Sequence, residues 1–288
     1  MDWINKLEES LVYIENHLTS TIDYKELGRI ACCSEYHYQR IFSYMVGVPL
    51  TEYIRRRRLS LAGAELQYGK KVIDVAMKYG YESPNSFSRA FKNIHGVTPS
   101  QAQKEGARLK TYPRIKFHIS IKGDVEMDYR IETKSAFRIV GTTIPMSRKA
   151  EENHQKLPGF WTKTSTDGTL HTILPLMSPA LQGVLGVSTG FSREEDTPTY
   201  YIAVVSEACV PEGLSEYLIE EYTWAIFTGS GPMPQAIQEL EKRIITDWLP
   251  SSGYEYANGP DIEVYLEPDP TKAVFEVWVP VNKAKDGQ

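Results

Sequence analysis

Residues 34–48 and 83–97 are two copies of one pattern. Shifted by 49 positions, Ser34 falls on Ser83, Arg40 on Arg89, Phe42 on Phe91, Gly47 on Gly96 and Val48 on Val97. Such a repeat constrains the fold more tightly than composition does, because both copies must build the same local unit. The apolar spacing supplies that unit. Ile4, Leu7, Leu11, Ile14 and Leu18 predict a first helix over 2–18. Further helices are predicted at 24–32, 35–46, 50–68, 72–79 and 84–95, with a short one opening at Pro99. Ser34 is placed as a helix cap, Gly47 and Gly69 close helices, and Pro84 suits a first helical turn, where no backbone donor is lost. Short helix, tight turn and capped helix, twice over, is a doubled helix-turn-helix. The connecting helix at 50–68 spans about 28 Å at 1.5 Å per residue. That length suits two reading helices set about one DNA turn, ~34 Å, apart.

Charge follows the same division. The 288-residue chain has a net charge of −5, but residues 1–122 carry +7 and residues 123–288 carry −12. A basic helical half points to nucleic acid; the acidic half must do something else. Hydrophobic content of 41% and charged content of 24% fit globular domains. No run of 18 apolar residues is present, so no membrane partner is expected. Residues 1–6 lack a basic and apolar leader. Three cysteines, two of them the adjacent Cys32 and Cys33, make no disulfide framework. A reducing, cytoplasmic location is therefore expected.

The residues that carry a family likeness lie at 23–104. The first unit has Leu27, Ala31, Ser34, Arg40, Phe42 and Gly47, then Tyr53-Ile54, Arg58-Leu59 and Ala62. The second has Tyr79-Gly80-Tyr81-Glu82-Ser83, Phe87-Ser88-Arg89-Ala90-Phe91-Lys92 and Gly96-Val97-Thr98-Pro99. This segment resembles the DNA-binding domain of AraC/XylS-type transcription regulators. One departure is Ala102-Gln103, where the family often has Tyr-Arg. The resemblance implies that double-stranded DNA is a partner, that RNA polymerase is another, and that the second helix of each unit enters the major groove. The outward reading positions are then Tyr36, Gln39 and Arg40 in the first unit and Asn85, Ser86, Ser88 and Arg89 in the second. Gln suits adenine and Arg suits guanine, whereas Ser and Asn contribute more to positioning. In the run Arg55-Arg56-Arg57-Arg58, Arg58 shares a helical side with Ile54 and Ala62 and is read as structural, paired with a buried acceptor. Arg55 to Arg57 are either solvated or screen backbone charge.

The acidic half repeats too. Shifted by 88 residues, Asp128–Glu132 falls on Glu216–Glu220, and Phe137–Gly141 on Ala225–Gly229. Strands are predicted at 127–132, 137–144, 182–188 and 200–206, helix and loops at 148–175, a helix at 235–248, and a closing strand at 275–279. Two β-α-β-β units about a pseudo-twofold axis would enclose a cleft. The Tyr-x-Ile-Glu strands, Pro158-Gly159-Phe160-Trp161, Tyr200–Val204 and Phe275–Pro280 resemble the GyrI-like effector-binding domain. That likeness implies a pocket for small amphipathic, often cationic molecules, of the kind that bind several drugs, with aromatic walls and a buried carboxylate. Strand alternation puts Val274, Glu276, Trp278 and Pro280 on one face, which makes Glu276 beside Trp278 the candidate cation site. Trp161, Tyr201, Trp224 and Phe227 are candidate walls, although any one such aromatic is more often ordinary core than ligand contact.

The expected architecture is multidomain: an all-α double helix-turn-helix domain, then an α+β domain of two pseudo-twofold related β-α-β-β units. The boundaries are 1–108 for DNA binding, 109–123 for a linker holding at most one strand at 115–121, 124–282 for effector binding and 283–288 for a tail. The expected function is ligand-responsive, sequence-specific transcription regulation. No metal, cofactor or catalysis is expected: His17, His37, His95, His118, His154 and His171 form no metal-spaced pair, and neither a G-x-S-x-G nor a phosphate-binding glycine loop is present. Two rivals stand beside this. In one, Glu276 is the general base of a fused hydrolase of reactive small molecules. In the other, the domain is an interaction module without a ligand.

Overall fold

The structure, a computed structural model, describes residues 2–117, 126–191, 197–267 and 269–283. His118, the rest of the linker to residue 123 and the tail from 284 lie outside the described residues. Residues 115–117 form no strand, and the remainder of that expected strand also lies outside them. The chain contacts itself as two compact bodies. One comprises Met1–Ala31 and Val46–Ser120, the other Cys32–Met45 and Ile121–Gln288. Residues 32–45 thus group with the C-terminal half and not with the rest of 1–108.

The first body is helical: α1 (Asp2–Asn16) and α2 (Tyr24–Ile30), then, beyond α3 (Glu35–Val46), α4 (Leu50–Gln67), α5 (Val72–Lys78), α6 (Pro84–His95) and α7 (Pro99–Ala102). Leu7, Leu11, Ile14 and Leu18 are buried, as their spacing predicts. Leu59, Ala62 and Leu66 of α4 form one core with Val75 and Ala76 of α5, Phe87, Phe91 and Ile94 of α6, and Ala102 of α7. Gly80 takes a φ of 80° in the turn between α5 and α6, a conformation open to glycine. Ser83 then caps α6 by accepting from the Ser86 amide, with Pro84 in the first turn. Gln103 donates to the Lys70 carbonyl.

The arginine run divides by geometry. Arg58 donates to the carbonyls of Leu18 (2.8 Å) and Ser20 (2.7 Å), so its acceptors are backbone. Arg57 is not a screening charge. Its guanidinium is held by both carboxylate oxygens of Glu15, at 2.8 and 2.7 Å, and by the Tyr112 carbonyl. Arg55 and Arg56 both pair with Glu52.

In the second body, besides α3, the chain runs β1 (Tyr129–Lys134), β2 (Phe137–Pro145), α8 (Ala150–Thr166), α9 (Thr169–Ile173), β3 (Val184–Thr189), β4 (Thr199–Val205), β5 (Ser215–Ile219), β6 (Tyr222–Gly231), α10 (Gln235–Arg243), β7 (Tyr254–Tyr256), β8 (Asp261–Glu267) and β9 (Ala273–Lys283). A π-helical turn, Ile244–Trp248, extends α10. The main sheet is antiparallel, in the order β1-β6-β9-β8-β3-β4-β2-β5, and β7 pairs with β9. Exchange β1 with β5, β2 with β6, β3 with β8 and β4 with β9, and the order reads back reversed. That is the pseudo-twofold axis expected from the 88-residue repeat. The units β2-α8-β3-β4 and β6-α10-β8-β9 are each preceded by a strand that crosses to the other unit. Strand β8, which no sequence signal had been assigned to, sits at the centre beside β3.

Alternation along the strands gives the sheet two unlike faces. One is apolar: Ile139, Leu185, Val187, Ala203, Ile226, Ile262 and Val264 pack together with Tyr201, Trp224 and Trp278. The other carries the helices and the polar groups described next.

Candidate functional site

The helix predicted at 84–95 forms as α6. On α6, Asn85, Ser86 and Arg89 are exposed and Ser88 is half-buried, while Phe87 and Phe91 point into the core. The Ser86 hydroxyl donates to the Ser83 carbonyl, which tightens the first turn.

Helix α3 is the reverse. Its three predicted reading positions are covered by other parts of the second body. Tyr36 is 4% exposed and its ring stacks on Phe191 at 3.8 Å between centroids, nearly parallel. Gln39 is 4% exposed and donates to the carbonyls of Glu35 and Arg148, while its own amide oxygen has no partner among the described residues. Arg40 reaches two carboxylates: one nitrogen meets Asp261 at 2.5 Å on β8, another Glu241 at 2.8 Å on α10. Its side chain is 13% exposed. Two further residues brace it. The Tyr44 hydroxyl donates to Glu241, and His37 contacts Asp261 at 3.0 Å through Nε2. Burial alone would lower the Arg40 pKa, but Glu241 and Asp261 hold it well above its ordinary value. Burial likewise pushes Asp261 up, yet His37 and Arg40 bring it below the usual carboxylate range. These are charge-assisted bonds, and the cavity left among Arg40, Glu241, Asp261 and Glu263 measures about 30 Å³.

Glu263 lies two residues along β8 from Asp261 and on the same face. The Tyr265 hydroxyl donates to it at 2.7 Å and the Tyr200 hydroxyl at 3.3 Å. The Trp161 indole N–H donates to Tyr200 at 2.9 Å, and its ring meets Tyr265 edge-on. Gly186, opposite Glu263 on β3, makes room for this group. A Cβ there would lie 2.3 Å from the Tyr200 hydroxyl and 2.9 Å from the Glu263 carboxylate. Burial, and then the charge of Glu241, raise the Glu263 pKa to about 7. Among the described residues no cation is bonded to this carboxyl directly; two tyrosine hydroxyls donate to it, and one of them accepts in turn from Trp161. Among the described residues no group of three His, Cys, Asp or Glu side chains is placed to hold a metal ion.

Comparison with known proteins matches two segments of the chain. Residues 130–281, just over half the chain, match the family of integron-associated effector binding proteins. Residues 27–105 match a helix-turn-helix domain family. The chain belongs to the integron-associated effector-binding family, joined to an AraC-type helix-turn-helix domain. It is a DNA-binding transcription regulator with a C-terminal effector-binding domain. The HTH-type transcriptional activator AarP of Providencia stuartii is 42% identical over 95 residues, which cover 33% of this chain and 70% of that protein. The right origin-binding protein of Escherichia coli K12 is 23% identical over 288 residues, covering 95% of this chain and 94% of that one. An integron cassette protein from the mobile metagenome of Vibrio cholerae aligns with a TM-score of 0.38 at 18% identity, over 54% of this chain and 95% of that chain. Among the described residues no helix is long and apolar enough to cross a membrane.

In this effector-binding domain the predicted pocket residues separate. Glu276, Trp278, Trp224 and Tyr201 lie on the apolar face, away from Glu263. Glu276 is already answered: Arg130 donates to it at 2.8 Å and the Trp278 indole at 2.7 Å. The neighbouring tryptophan thus serves the carboxylate as a donor instead of a stacking wall for a ligand. Phe227 packs against Trp248 and Tyr129. Of the predicted walls only Trp161 adjoins the Glu263 site. The residues that the sequence reading did not single out are Glu263, Asp261 and Tyr265 on β8, Tyr200 on β4 and Glu241 on α10.

Proposed function

We propose that the effector-binding domain takes a small amphipathic cation at Glu263, with Tyr200, Tyr265 and Trp161 as its walls, and that occupancy alters DNA binding. The observation that carries this is the half-buried Glu263 carboxyl, to which Tyr200 and Tyr265 donate, beside a cluster that already holds a guanidinium. An environment that pairs Arg40 with Glu241 and Asp261 favours delocalised, weakly hydrated cations, which lose little on leaving water. Aromatic hydroxyls on Glu263 place acceptors and rings on the same side of the sheet. Glu263 already accepts from two tyrosine hydroxyls, which supports binding of the ligand without conversion. The relation to a transcriptional activator supports a role in activation, with RNA polymerase as the further partner.

The test is a titration of the full chain with rhodamine 6G, a lipophilic aromatic cation, followed by Trp fluorescence. Saturable quenching is expected, with Glu263→Gln weakening it about tenfold, the equivalent of 1.4 kcal/mol. Equal affinity in both proteins would remove Glu263 from the site. Release of product from an ester or other activated ligand, abolished by the same substitution, would favour the hydrolase reading instead.

A further inference from the structure

Helix α3 and the proposed effector draw on the same charges. The sequence of α3 is that of a DNA-reading helix, yet Tyr36 and Gln39 are each 4% exposed, and a side chain so covered cannot reach a base edge. What covers them belongs to the effector-binding body: Phe191, the Arg148 carbonyl, Glu241 and Asp261. Two carboxylates on Arg40 reproduce the bidentate acceptor pattern that guanine or phosphate offers an arginine. The match is incomplete at Gln39, whose amide oxygen stays buried without an acceptor's partner, as suits a residue whose better partner lies elsewhere. The site is also full. A drug-sized ligand needs a pocket of roughly 300 Å³ or more, and with α3 in place the cavity at Glu241, Asp261 and Glu263 is about 30 Å³.

We infer that α3 is a resident occupant of the effector site, Arg40 filling the cavity beside Glu263 that the effector's cation would enter, so that docking of α3 and binding of effector exclude one another. This rests on the assignment of the effector to the Glu263 region. The docked state withholds the first reading helix from DNA; the cation takes the carboxylates, and α3 is released to read its half-site. Linkage makes the effect reciprocal: DNA that captures α3 empties the cleft and raises affinity for the cation. The size of the shift is set by how much better the cation binds the undocked state.

The experiment uses the full chain, a DNA duplex selected in vitro against it, and rhodamine 6G. The dye should raise DNA affinity five- to 150-fold, roughly the usual range of coupling between sites. It should also speed amide exchange over residues 35–46. The double variant Glu241→Gln/Asp261→Asn should bind the duplex with that higher affinity without dye, and gain nothing from dye. Equal DNA affinity in variant and wild type, together with dye-independent exchange at 35–46, would overturn the inference. The wild-type exchange measurement stands alone should the variant fail to fold. Dye binding that needs Glu263 but leaves α3 protected and DNA affinity unmoved also overturns it, with the effector assignment intact. Dye binding indifferent to Glu263 removes the effector assignment, and the DNA comparison of wild type with the double variant still decides the docking.

Discussion

Helices α3 and α6 come from one repeat and end in opposite situations. Ser34 and Ser83 begin them, Arg40 and Arg89 occupy the same helical position, and Phe42 and Phe91 are both buried. Yet Arg89 is exposed, whereas Arg40 lies between two carboxylates. The difference teaches that a polar helix face is not committed to one partner. A row of hydrogen-bond donors fits base edges and phosphates, and it fits an acidic cleft equally well. What changes is whether the chain itself supplies the acceptors.

The largest effect that separates the two helices should appear in stability. Arg40→Ala leaves Glu241 and Asp261 without their cation in a mostly buried setting, a loss of about 3–5 kcal/mol where one partner of a buried pair is removed. Arg89→Ala removes an exposed side chain and should stay within about 0.5 kcal/mol. Urea unfolding of the two variants measures this. A similar, small loss in both would mean that the α3 docking contributes little. DNA binding gives the next contrast. Arg89→Ala should weaken a selected duplex by about 1–3 kcal/mol if the residue reads a base. Arg40→Ala loses its base contact but also frees α3, so its net loss in a gel-shift titration should be the smaller. A larger loss for Arg40 would break the comparison.

Most of the fold was legible because it rests on local rules. Ser83, Pro84 and Gly96 bracket α6 by capping geometry, and the same residue types announce it in the sequence. The pseudo-twofold sheet was legible through the 88-residue repeat. Strand β8 was not, although Ile262 and Val264 alternate with Asp261, Glu263 and Tyr265. Acidic residues on a strand read as its solvent side, and here that side is covered by helices and carries the proposed site. Glu276 drew attention because Trp278 lies two residues away. Its actual partner, Arg130, comes from β1, at a separation that no spacing rule reaches. Glu241 looked like any charge on an amphipathic helix. The docking of α3 was illegible for the reason given above, since donors aimed at DNA and donors aimed at carboxylates share one alphabet.

A pH titration sharpens the comparison from the acceptor side. The Glu263 pKa is raised to about 7 by burial and by Glu241, with Tyr200, Tyr265 and Arg40 as the other groups facing it. An acid raised in the folded state contributes stability below its unfolded value near 4.5, and that contribution is lost as pH rises through about 7. Cation binding runs the other way, because only the ionised carboxylate attracts it. Affinity for rhodamine 6G should therefore rise about tenfold between about pH 6 and 8, and stay flat in Glu263→Gln. A parallel rise in both proteins would assign the titration to another group. Nothing comparable should occur at α6.

The smallest expected difference lies in the two caps. Ser83 accepts from the Ser86 amide at 3.2 Å, and Ser34 from the His37 amide at the same distance. Replacing a serine cap with alanine usually costs about 1 kcal/mol, and Ser83→Ala should lose that much. Ser34 does more. Its hydroxyl also meets His37 Nδ1 at 2.8 Å, while Nε2 of the same ring contacts Asp261. The serine thus fixes the orientation of a ring that braces the Arg40 cluster. Ser34→Ala should lose the cap and part of that bracing, so its loss in urea unfolding should exceed that of Ser83→Ala by roughly the net value of one hydrogen bond, about 0.5–1.5 kcal/mol. In the Glu241→Gln/Asp261→Asn background, where His37 has no charge to meet, the excess should vanish. Equal losses for Ser34→Ala and Ser83→Ala in the wild-type chain would show that the ring is held by its other contacts, with Asp261, Tyr256 and Phe191.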